Sequence, residues 1–186
     1  EQASGDVGLD MVAGPSEVVI VADSSARADW LAVDLLAQAE HDEMAQAILI
    51  SEDAGLLNAV EKEIQDRLEE MPRKEIASES LEKRGALIKV CAREEALKVV
   101  NRIAPEHLEL AIDNPSAVID EVKHAGAIFL GSRSAEVVGD YTAGPSHVLP
   151  TSGTSRFASP LGVYDFLVKT SVIECSMTGS VTLSRD

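Results

Sequence analysis

Short apolar runs rich in β-branched residues return five times along this chain, each parted from the next by a segment with helical spacing. This alternation limits the fold more than any other feature. The runs are EVVIVAD (17–23), AQAILIS (45–51), GALIKVC (85–91), LELAI (108–112) and AIFLG (127–131). The clearest of them, such as EVVIVAD, are continuously apolar rather than alternating, the pattern of strands buried on both faces of a parallel sheet. Between them, residues 26–41, 56–71, 74–83, 93–103 and 115–125 read as helices. Asp23, Ser24 and Ser25 offer caps ahead of the first, Pro72 ends the second, and Ala104-Pro105 closes the fourth. Strand–helix alternation predicts an α/β fold with a doubly wound, mostly parallel sheet, an incomplete Rossmann-like domain. In such sheets ligands sit beyond the carboxyl ends of the strands, so chemistry is expected in the loops there and in the turn before Glu106.

The alternation stops near Gly131. Residues 139–157 form a long Gly-, Ser-, Thr- and Pro-rich loop, the kind that is functional when it occurs inside a compact domain. Beyond it LGVYDFLVK (161–169) reads as a helix and TSVIECS (170–176) as a strand, a C-terminal helix/strand extension. The expected organisation is a lead-in segment at 1–15, an α/β domain at 16–160 and an exit segment at 161–186.

Aromatics supply only 3% of the 186 residues, so the core must be Val, Ile, Leu and Ala. With 32 acidic against 16 basic residues the formal charge is −16. That charge argues against a nucleic-acid partner and suits a small or cationic ligand. No run of 18 apolar residues exists, which predicts no membrane span and a cytoplasmic protein. Cys91 and Cys175 lie in apolar stretches without CxxC spacing and are expected to be buried free thiols.

Histidine is scarce, and three of the four lie beside acids or turn residues. In LLAQAEHD, Gln38 and His41 are three apart, about 60° around a helix, so an amide oxygen and an imidazole can point at one object. In GDYTAGPSH, Asp140 precedes His147 by seven residues, and its carboxylate can join the other two around a divalent ion such as zinc. A capping Asp and a loop His explain the same letters. In APEHLEL, Glu106 and His107 follow a turn; if they share a pocket, a carboxylate and an imidazole can activate water and move protons. As neighbours on extended chain they are equally read as pointing apart. Ser16 lies in a GPS turn without the G-x-S-x-G of a serine nucleophile, His124 reads as an ordinary helix residue, and no G-x-G-x-x-G marks a dinucleotide site.

Taken in order, GPSEVVIVAD, DLLAQAEHD, APEHLEL, HAGAIFLG and GDYTAGPSHVLPTSGTSRF resemble histidinol dehydrogenase, over nearly the whole chain. The resemblance implies a zinc- and NAD-dependent oxidation of L-histidinol to L-histidine through the aldehyde, the last steps of histidine biosynthesis. It implies Gln38, His41 and Asp140 as ligands of one zinc per subunit, Glu106 as activator of water and His107 as acid–base partner. Ser16, Glu136 and His147 match substrate-contacting positions, as do the zinc ligands themselves. Ala135 and Ser146 stand where the family usually has Pro and Asn.

The family chain is more than twice this length. Its nicotinamide-binding half precedes the matched region, so no cofactor-binding residue is expected here. Its tail, on this resemblance, lends one more His across a homodimer interface. The expectation is a central-to-C-terminal part of the enzyme that does not turn over histidinol alone. The rival readings are an inactive paralogue that binds metal or imidazole, and a structural domain with no site.

Overall fold

The computed structural model describes residues 11 and 13–184. Among these, β1 (Glu17–Ala22), β2 (Gln46–Ser51), β3 (Ala86–Lys89), β4 (His107–Ala111) and β5 (Ala127–Leu130) form one sheet in the order β3-β2-β1-β4-β5. Every pairing is parallel, and Val18 stands opposite Ala47 on one side and His107 on the other. All five strands therefore start along one edge.

The strands alternate their apolar side chains between two cores. Val18, Ile20, Ala47 and Leu49 meet Leu31 and Leu35 of α1 (Ala28–Ala39) and Leu56, Leu57 and Val60 of α2 (Ala54–Leu68). Helix α3 (Lys74–Arg84) adds Leu81 on this face. Val19, Val21, Ile48, Ile50, Leu108 and Leu110 meet Ala96, Leu97 and Val100 of α4 (Arg93–Ile103) on the other. Helices on both faces of an all-parallel sheet make the doubly wound α/β architecture read from the alternation. Helix α2 starts as its sequence dictates: Asp53 caps it by accepting from the amides of Gly55 and Leu56 at 2.8 and 3.2 Å.

Three expected elements differ. The helix expected at 115–125 is two short 3-10 turns, Pro115–Ala117 and Ile119–Glu121. Asn101 on α4 is the reason: its side chain donates to the Glu121 carbonyl at 2.9 Å and accepts from the Lys123 amide at 2.7 Å, taking groups a longer helix would use. The helix expected at 161–169 is a single 3-10 turn at Val163–Phe166, and the strand expected at 170–176 has no regular structure. Helix α6 (Met177–Leu183) follows instead. Phe166, Val168, Val172 and Ile173 are largely exposed, and an apolar pattern with no sheet edge or helix to meet has nothing to stabilise it. Both cysteines are exposed, not buried. Cys91 falls just after β3 and Cys175 lies in the segment that packs on nothing. Of the lead-in at 1–15, residues 1–10 and 12 fall outside those described.

No helix among the described residues is long and apolar enough to cross a membrane.

Candidate active site at the amino edge of the sheet

His107 opens β4 and Glu106 immediately precedes it, so both stand at the edge where the strands begin. The turn before Glu106, one of the two places where chemistry was expected, thus lies at the amino edge and not beyond the carboxyl ends of the strands. Side chains alternate along β4, which sends His107, Glu109 and Ala111 to the face that carries α1 and Leu108 and Leu110 to the other. Helix α5 (Glu136–Tyr141) reaches the same face, because the Glu136 amide donates to Glu109 Oε1 at 2.7 Å.

Glu106 and His107 do share one place, and a neighbouring main chain brings them together. The Glu17 amide donates to Glu106 Oε2 at 3.0 Å, and the Glu17 carbonyl lies 3.0 Å from His107 Nδ1. One peptide segment of β1 thus grips both side chains, and Glu106 Oε2 comes within 3.6 Å of His107 Nδ1. A carbonyl only accepts, so in the neutral ring Nδ1 carries the hydrogen and Nε2 keeps the free lone pair. That Nε2 is buried without a hydrogen-bond partner and faces Glu136 Oε1 at 3.6 Å. One donor atom from each of His107, Glu136 and Asp140 lies within 4.8 Å of the others.

Gln38 is 1% exposed, yet neither its amide oxygen nor its amide nitrogen has a partner. A buried amide left unpaired costs about 1–3 kcal/mol, and both polar atoms of this one are left free to meet a ligand. His41 lies past the end of α1 and is exposed; its side chain is near enough for its charge to weigh on His107, but it is not in the 4.8 Å group. His147 is exposed on the loop after α5, and Ser16 is half-buried just ahead of β1. Of the eight residues read from the sequence, Glu106, His107, Glu136 and Asp140 meet directly, and Gln38 is buried with its amide free. The loop that carries His147 is anchored downstream: Ser152 N donates to Glu17 Oε1 at 3.2 Å, and Thr151 Oγ1 accepts from Gly14 N at 2.7 Å.

The electrostatics follow from many acids in little water. Burial pushes Glu106 up to about 8; the bond from Glu17 N opposes this, and the carboxyls of Glu17, Glu136 and Asp140 add to it. Burial, with Asp140 beside it, takes Glu136 to about 7. Burial also holds His107 below the ordinary imidazole range, against the pull of the Glu17 carbonyl and Asp140. Three further acids were not read from the sequence as site residues: the buried Glu17 and Glu109 and the half-buried Asp34, all raised above the ordinary carboxyl range chiefly by burial. The signal existed for Glu17 and Glu109, which are charges set in strands otherwise apolar.

A cluster of nitrogen and oxygen donors, rich in carboxyls and poor in cation, gives this α/β protein a candidate group for holding a metal ion or a small cationic ligand. The sequence profile described as Histidinol dehydrogenase matches residues 1–186. The chain belongs to the histidinol dehydrogenase family. It is 57% identical over 183 residues to the histidinol dehydrogenase of Psychrobacter arcticus, covering 97% of this chain and 42% of that protein. It is 56% identical over 181 residues to that of Pseudomonas aeruginosa, covering 97% and 41%. The crystal structure of histidinol dehydrogenase from Elizabethkingia anophelis superposes with a TM-score of 0.89 at 37% identity, over 96% of this chain and 41% of that one. The chain therefore spans about two fifths of the length of these relatives.

Proposed function

We propose that this chain carries the substrate- and zinc-binding part of a histidinol dehydrogenase, which oxidises L-histidinol to L-histidine through the aldehyde with NAD. The observation that carries the reading is His107: a buried imidazole oriented by a main-chain carbonyl, its free nitrogen turned into a pocket of carboxyls.

The donor set fits zinc, which accepts imidazole nitrogen and carboxyl or amide oxygen. On the family pattern Gln38, His41 and Asp140 would hold it; the unpaired Gln38 amide supports the first and the donor group that includes Asp140 supports the third, while His41 rests on the family pattern. Zinc supplies a template for the amine and imidazole of the substrate, and NAD supplies the hydride acceptor. No residue of this chain is assigned to NAD.

The chain's own residues handle protons and position. His107 Nε2, the unprotonated nitrogen, takes the hydroxyl proton of the alcohol. The Glu17 carbonyl stabilises the imidazolium by holding Nδ1–H. Glu106 activates the water that adds to the aldehyde. It is ready for that role once a cationic substrate enters, because positive charge draws a buried carboxyl back toward ionisation. Glu136, Ser16 and His147 are assigned to substrate contact. A homodimer is the expected working form.

The test is NADH formation from L-histidinol by the full-length protein containing these residues, with and without zinc. Zinc-dependent turnover lost in His107→Ala and in Glu106→Gln is the expected result. Turnover unaffected by either substitution would overturn the assignment.

A further inference from the structure

Glu109 takes no part in the chemistry just described, yet it is 4% exposed and two residues from His107 on the same face of β4. Its Oε1 accepts the amide hydrogen of Glu136, the first residue of α5, at 2.7 Å. The residue before the helix, Ala135, has no side-chain oxygen to do this. Helix α5 has six residues, too few to stand without tertiary support. Glu136 and Asp140 are four apart and so lie on one side of it. Whatever fixes the start of α5 therefore sets both carboxyls against His107.

We propose that Glu109 is a positioning residue: through the Glu136 amide it holds α5 so that Glu136 and Asp140 converge on His107. The proposal rests on the metal reading above and names the residue that sets that site's geometry. It separates Glu109 from a merely structural acid. Removing the carboxyl relieves its burial but leaves the Glu136 amide without its acceptor, so a merely structural role predicts lost stability with zinc affinity unchanged, whereas a positioning role predicts lost affinity as well.

The test is zinc titration calorimetry on the full chain, with thermal unfolding measured in parallel. Glu109→Gln keeps an acceptor oxygen and is expected to bind zinc as the wild type does. Glu109→Met removes the acceptor and is expected to weaken zinc binding by about 10- to 100-fold, the usual effect of losing an outer partner of a metal site, in a variant that the melt shows to be folded at the titration temperature. Should Glu109→Met not fold, Glu109→Asp, which keeps the carboxyl but withdraws it by one methylene, carries the same comparison with Glu109→Gln. Asp140→Ala reports on the site itself. If the wild type shows no zinc binding that depends on Asp140, the metal reading fails and takes this role with it. If Asp140-dependent binding is undiminished in Glu109→Met, or falls equally in Glu109→Gln, the Glu109 proposal alone is overturned.

Discussion

Replacing Glu106 with Gln in the metal-free chain should flatten the dependence of stability on pH. Glu106 is 6% exposed, and burial lifts its carboxyl from 4.5 to about 8. The folded chain keeps this proton up to about pH 8, whereas the unfolded chain releases it near 4.5. Between those values the folded state binds the extra proton, so stability falls as pH rises and levels off above the folded value. From pH 5 to pH 8 the loss is three units at 1.36 kcal/mol each, about 4 kcal/mol as an upper bound. Gln keeps an oxygen for the Glu17 amide but does not titrate. Urea unfolding followed by circular dichroism, with a chelator present, gives both curves. The wild type should lose more stability than Glu106→Gln over this interval, the difference approaching that bound. Parallel curves would refute the claim that burial keeps Glu106 protonated. The direction is opposite to that of a salt-bridged carboxyl, so even a small measured difference has a diagnostic sign.

Four further outcomes follow from packing and backbone. Ile20→Ala empties a wholly buried site in the α1 face and should cost about 3–4 kcal/mol in denaturant unfolding. A Cβ at Gly126 would lie 2.6 Å from the Glu106 carbonyl oxygen, so Gly126→Ala should cost about 1–3 kcal/mol in denaturant unfolding, by moving the backbone under Glu106. Ser152 is exposed with φ of 54°, and Ser152→Gly should raise stability by about 0.5–1 kcal/mol in a thermal melt, through relief of left-handed strain. Both cysteines should react with a thiol reagent in the native chain, and protection of either would contradict the exposure seen here.

What could be read from the letters divides along a physical line. Strands β1 and β2 and helices α1, α2 and α4 were legible because each carries its own periodicity and its neighbours satisfy it. The segment 115–125 misled because Asn101, distant in sequence, takes its backbone groups. The segment 161–176 misled because an apolar pattern states a need for a partner and not its presence. In the site, residue types were legible and geometry was not. Glu106 and His107, for which a shared pocket and opposite faces were equal readings, are held together by a peptide of another strand, which no local pattern records. Glu136 entered by family resemblance alone. Glu109 passed as one letter of a strand, although a charge in an apolar strand is itself a signal.

The grip on Glu106 and His107 comes from atoms of residue 17 that nearly every amino acid possesses. Side-chain replacement at that position removes the carboxyl that holds Ser152 but leaves the amide and carbonyl in place, so a mutational scan would not report their hold on Glu106 and His107. Proline alone among the twenty lacks the hydrogen that Glu106 receives. Glu17→Pro is the one substitution there that would release the carboxyl while leaving the carbonyl for His107.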